Sequence, residues 1–132
     1  MGALDQTFEN SVLDACFDRA AASVRLVTAP VKLRYMTANG TSTSGGTQLG
    51  TSAGYTAGGQ TITTAAASGG VEATNATNTT TNMPATTVVG IEIWDSAGTP
   101  KRVWWGALTV PQTTSLGDTF SIASGALTAS FG

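Results

Sequence analysis

The sequence predicts a mainly-β chain, an antiparallel sandwich of jelly-roll type with about seven or eight strands and one N-terminal amphipathic helix. Three observations carry this expectation. A helical period is confined to residues 3–20, a two-residue alternation follows it, and Gly, Pro, Asn and Asp punctuate the alternating segments at short intervals. The chain of 132 residues is the size of one domain, with residues 1–22 as its helical part and 23–132 as the sandwich.

The helix rests on Leu4, Phe8, Val12 and Cys16, which recur every four residues, with Leu13, Phe17 and Ala20 beside them. Asp5 and Glu9 near its start and Arg19 near its end suit the helix dipole. The single cysteine, Cys16, cannot form an internal disulfide and reads as a small core residue. Val24 to Val27 is expected as a first strand, and Val31, Leu33 and Tyr35, alternating with Lys32, Arg34 and Met36, as a clearer second one. Residues 38–60 are so rich in Gly, Ser and Thr that they read as a contact loop with a short strand near Thr47–Leu49. Thr61–Ala67 and Val71–Thr81 have strand propensity but a weak apolar signal.

The C-terminal third is the most legible. Thr86–Trp94, a turn at Asp95–Pro100 and Arg102–Val110 form a long hairpin, in which Val89, Ile91 and Ile93 share a face that Val103 and Trp105 are expected to oppose. Pro111 is expected to open a connection, and Phe120 and Leu127 belong to two closing strands on either side of Ser124-Gly125.

Composition excludes more than it identifies. Charged residues make up 11% of the chain, against about 25% in ordinary soluble domains. Between Tyr35 and Ile91 only Glu72 is charged. A surface so neutral is expected to be covered by neighbouring subunits. The net charge of −2 and scattered cations (Arg19, Arg25, Lys32, Arg34, Lys101, Arg102) provide no stripe for nucleic acid. No segment has the length of a membrane span or the features of a secretory leader, so the chain is expected to be made in the cytosol.

The chain contains no histidine, which removes the usual triads and the commonest zinc ligand. The four carboxylates outside the helix, Glu72, Glu92, Asp95 and Asp118, stand singly and read as solvated or turn-forming. Gly40 to Thr47 imitates a phosphate-binding loop, but Gly46 stands where the lysine must be. No catalytic residue, cofactor or metal site is therefore expected, and the chain is read as non-enzymatic. Trp94, Trp104, Trp105 and Tyr55 are the candidates for a protein interface. Trp104 and Trp105 are adjacent in a strand, so they face opposite ways and only one of them can enter a given core.

In this order, several segments resemble a family of small bacteriophage virion proteins often labelled tail-fibre-like. They are Leu4 to Asn10 with Leu13-Asp14, Gly46-Thr47-Gln48-Leu49, Gly54-Tyr55, Val89-Gly90-Ile91, Trp94-Asp95, Trp105-Gly106-Ala107-Leu108, Gly117-Asp118-Thr119-Phe120 and Gly125-Ala126-Leu127-Thr128. The resemblance implies a β-sandwich structural subunit of the particle. Small size and weak charge favour first a capsid decoration protein on the head surface, bound to the major capsid protein and to copies of itself as a homotrimer. The alternative is a tail, baseplate or fibre component that contacts tail proteins and the host. Neither reading involves nucleic acid or a membrane as partner.

Overall fold

The computed structural model describes residues 3–16 and 27–130. Its main sheet has six strands: β1 (Ala3–Leu4), β2 (Lys32–Ala38), β3 (Thr47–Gln48), β4 (Gln60–Thr61), β7 (Thr86–Trp94) and β8 (Arg102–Thr114). They pair antiparallel in the order β1-β8-β7-β2-β3, with β4 also on β2. Among the described residues two ribbons complete the β structure, β5 (Val71–Ala73) with β10 (Thr128–Ser130) and β6 (Asn78–Thr80) with β9 (Phe120–Ile122). A single described helix, α1 (Gln6–Cys16), follows β1.

The described residues are thus mainly β and antiparallel with one short helix, as the periodicities suggested. Where the expected sandwich has a second continuous sheet, the described residues form two separate ribbons. The closing strands diverge after the turn at Gly125, which has φ +76°. β9 joins β6 and β10 joins β5 rather than pairing with each other. Val71–Thr81 is likewise split between both ribbons, and of Thr61–Ala67 only its first residue is in a strand. Ala, Thr and Asn bury too little apolar surface there to hold a long ladder.

The helix begins at Gln6 because Ala3 and Leu4 pair with Trp105 and Trp104, and Asp5 then caps it. The Asp5 carboxylate accepts the Thr7 N–H (2.9 Å) and its carbonyl accepts the Glu9 N–H (2.9 Å), the two bonds that define an N-cap. The expected helix end at residue 20 and most of the first strand, 24–27, lie outside the described residues, as does the side chain of Cys16.

One face of the sheet carries Leu33, Tyr35 and Ile91, which are buried, and Ile93. Leu49, Tyr55, Ile62, Met83, Val88, Trp104 and Phe120 join the same cluster. Tyr35 meets Tyr55 at 5.1 Å and Phe120 edge-on at 4.9 Å between ring centroids. Its hydroxyl lies 2.7 Å from that of Thr80, so the β6–β9 ribbon is fastened to the sheet by both apolar and polar contacts. Tyr55 also completes the sheet edge. β3 pairs with the end of β2 and β4 with its start. Between them the Tyr35 N–H donates to the Tyr55 hydroxyl (3.2 Å), which also accepts from Gln48 Nε2 (2.8 Å).

Glycines fit where backbones approach closely. A Cβ on Gly90 would lie 1.9 Å from Asn39 Oδ1 and 2.7 Å from the Gly106 carbonyl, and one on Gly54 would lie 1.7 Å from the Thr81 carbonyl. Any side chain at either place forces the neighbouring chain to move, at a typical cost of about 1–3 kcal/mol.

The hairpin β7–β8 contains two irregularities. Ile93 pairs with Trp104, but Trp94 pairs with Arg102, which leaves Val103 as an extra residue. This bulge changes the phase of β8, so that Trp104, and not Trp105, shares the face of Ile91 and Ile93. A second shift separates the Val88–Gln112 and Gly90–Ala107 pairs, beyond which β8 runs on past Pro111 to Thr114. In the turn, Asp95 accepts N–H groups from Lys101 (2.7 Å), Thr28 (3.2 Å) and Ala97 (3.4 Å). Burial pushes its carboxyl pKa up, but those N–H groups and the Lys101 charge outweigh burial and hold it below the usual aspartate value.

Stability from ionised Asp95 is therefore complete above the ordinary aspartate pKa of about 3.9 and is lost as pH falls through the lower folded value. Asp95→Asn is expected to flatten that acid limb in urea-midpoint measurements from about pH 5 to about pH 2. Parallel decline in both proteins would contradict this role.

Candidate functional site

The sheet face opposite the Tyr35 cluster is polar at its centre. Arg34, Glu92 and Trp105 stand in register across β2, β7 and β8, and Trp94 is in register with Arg102. Alternation brings these side chains to one side. Glu92 is 2% exposed, Arg102 5% and Asp5 7%, so three ionisable groups are buried together.

Arg102 organises them. Its Nε and Nη2 donate to Asp5 Oδ2 at 3.0 and 2.7 Å, and its Nη1 donates to Glu92 Oε1 at 2.9 Å. Nη1 also donates to the Ser44 carbonyl (2.7 Å) and Nη2 to that of Thr41. All five guanidinium N–H groups are thereby used. Glu92 is equally occupied: Oε1 also accepts the Gly46 N–H (2.8 Å), and Oε2 accepts the indole N–H of Trp94 (2.8 Å). Arg34 lies over the Trp94 ring, 4.2 Å from its centroid.

The loop between β2 and β3 closes over this cluster. Thr41 and Ser44 bridge each other, and the Gln6 N–H at the start of α1 donates to the Ser42 carbonyl (3.1 Å). A Cβ on Gly40 would come within 2.5 Å of Arg102 Nη1, and one on Gly46 within 2.2 Å of the Ala38 carbonyl. This is the segment that imitates a phosphate loop. In the fold it turns two carbonyls toward the Arg102 guanidinium and gives the Gly46 N–H to Glu92, whereas a phosphate loop converges several N–H groups on one anion.

The reading of Glu92 as a solvated or turn-forming, solitary carboxylate is therefore corrected, and Asp5, expected at the helix start, also serves as a buried partner of Arg102. Both are buried partners of Arg102, brought together by the hairpin and by β1. Asp95 and Asp118 do form turns, Asp118 by accepting the Ser115 N–H at 2.8 Å. A signal for the cluster was present in Glu92, a lone charge in the apolar run Val88–Trp94, with Arg102 at the start of the next strand.

The four interface candidates separate by burial. Tyr55 (2% exposed) and Trp104 (6%) lie inside the fold, which removes them from the surface available to a partner. Tyr55 also anchors in the core the segment that was expected to be a contact loop. Trp94 and Trp105 are half-buried on the polar face, and Arg102 lies 5.7 Å from the Trp105 ring centroid.

Two cavities adjoin the helix. One of about 430 Å³ is apolar, with Leu4, Phe8, Val12, Ile93, Val103 and Trp104 among its walls. The other, of about 240 Å³, is lined by Asp5, Thr7, Phe8, Thr43, Gly45, Trp94, Lys101 and Arg102. Phe8 contributes to both and stands between them. Among the described residues no group of three or more His, Cys, Asp or Glu side chains is placed to hold a metal ion, and no helix is long and apolar enough to cross a membrane.

The model of one protein family, described as podophage GP4 fiber I protein gp80, matches residues 3–130. A search of curated proteins returned no match.

Replacing Arg102 with Met should cost about 3–5 kcal/mol, because Asp5 and Glu92 would remain buried without their counter-charge. Chemical denaturation checks this, and a loss below about 1 kcal/mol, the level of an exposed ion pair, would contradict it.

Proposed function

We propose that this chain, which belongs to the podophage GP4 fiber I protein gp80 family, is a non-enzymatic structural component of a fibre on a bacteriophage particle. The observation that carries the proposal is the extent of the match, residues 3–130 of 132, which takes in the sheet, both ribbons and the helix together. The family description names a fibre protein. It favours the second of the two sequence-based readings and gives no support to capsid decoration, so the major capsid protein is not retained as a partner.

The chemistry of the described residues agrees with a structural role. The buried carboxylates of Asp5 and Glu92 are occupied by Arg102 and by N–H groups, which leaves neither free to serve as a general acid or base. The segment between β2 and β7 is uncharged except for Glu72, and the side chains of Val110 (63%) and Leu116 (79%) are exposed, features that suit cover by neighbouring subunits. Partners in the fibre are further copies of this chain and tail proteins, and the assembled fibre serves attachment to the host.

Gold-tagged antibody against this chain, applied to intact particles, is expected to label fibres at the tail in electron micrographs. Label spread evenly over the head would overturn the fibre reading in favour of decoration, and particles without label would overturn both.

A further inference from the structure

We infer that the outer edge of β8 pairs with the same edge of a second copy of this chain, so that two main sheets join into one across a twofold axis. That the occupant is a copy rests on the fibre reading, in which copies of the chain are neighbours; that the edge is open does not.

β8 outruns the strand beside it. It has 13 residues, and on its outer side β1 covers only Trp104 and Trp105. From Gly106 to Thr114 no described strand lies on that side. Backbone N–H and C=O groups point alternately to the two sides of a strand, so this stretch turns a row of them outward with no strand to receive it.

The other end of the sheet is closed. β3 and β4 both lie on β2, and between them Tyr35 gives its N–H to the Tyr55 hydroxyl while its carbonyl accepts the Leu49 N–H (2.8 Å). Every other edge strand among the described residues has two or three residues. A copy therefore has no second long edge to offer, and two identical edges meet antiparallel about a twofold axis.

Edges that stay single are commonly guarded by charge, cover or proline. Ala107–Thr114 contains no charged residue, so pairing it with itself sets no like charges against each other. Residues 109–113 are exposed, Val110 by 63%. Pro111 falls where β8 has four residues, Leu108–Pro111, opposite Val89 alone, and a bulge is one of the places where a strand holds proline. Val110 is the middle residue of the open stretch, so its two copies come close to the axis.

The test is sedimentation equilibrium of the full chain up to millimolar concentration, repeated with Val110→Lys, with Val110→Glu and with an equimolar mixture of the two. The unaltered chain is expected to dimerise. Each variant alone is expected to lose the dimer, because like charges meet at the axis, and the mixture to regain it, because opposite charges then do. In a mixture of nitrogen-15-labelled and carbon-13-labelled unaltered chains, nuclear Overhauser contacts between copies are expected within residues 106–114, a readout that needs no variant. A chain that stays monomeric or forms a trimer overturns the inference. So does a dimer indifferent to both variants, a mixture that stays monomeric, or contacts between copies that lie elsewhere. Such a result together with gold label on tail fibres removes the edge pairing alone, whereas label over the head removes the fibre reading itself.

Discussion

Arg102 is the point at which three separate parts of the chain are fastened together. Its guanidinium is bonded to Asp5 at the start of α1, to carbonyls of the loop between β2 and β3, and to Glu92 within β7. An arginine is suited to this because its planar fork offers five fixed donors, and each must find an acceptor once the group leaves water. A lysine could not satisfy the same five acceptor contacts. Burying one cation with two carboxylates is costly, and such clusters contribute little net stability compared with apolar packing. Their consequence is geometric: a displaced loop or a different helix start would leave buried charge and buried carbonyls without partners.

The apolar side of the sheet supplies the burial that drives folding, through Leu33, Tyr35, Ile91 and Trp104 and the ribbon residues packed on them. The two faces are coupled at the Val103 bulge. The extra residue brings Trp104 into the core while Trp105 stays on the side of Glu92. One irregularity in β8 thus sets which tryptophan stabilises the fold and which remains at the surface. The same face also holds Trp94 in a fixed orientation, between the Glu92 carboxylate and the Arg34 guanidinium.

Strands and helix could be read from periodicity where apolar residues were dense. Thr86–Trp94 and the start of β8 were legible because Val, Ile and Trp alternate there with small or polar residues. The ribbons were not, since Ala, Thr and Asn give no face to follow, and their partners are determined by distant contacts such as Tyr35 with Thr80 and Phe120. The phase of β8 was misread because a bulge leaves no mark in a two-residue alternation. Tyr55 looked like a surface aromatic because Gly, Ser and Thr surround it, yet its ring and hydroxyl are both used against β2. The site around Arg102 was partly foreshadowed by isolated charges in apolar strands, but Asp5 was attributed to the helix dipole alone. That it also caps α1 and reaches Arg102 depends on β1, a two-residue strand too short to announce itself.

The most direct test of Arg102 as a common fastening is amide hydrogen exchange in Asp5→Asn, measured residue by residue. The Asp5 carboxylate is bonded to the guanidinium and to the helix start, whereas the Gly46 N–H is bonded to Glu92 on the other side of Arg102. If the cluster acts as one unit, protection falls together at Thr7, Gln6 and Gly46. Faster exchange at Thr7 with Gly46 unchanged would show that the loop and the helix are held independently, contrary to this account.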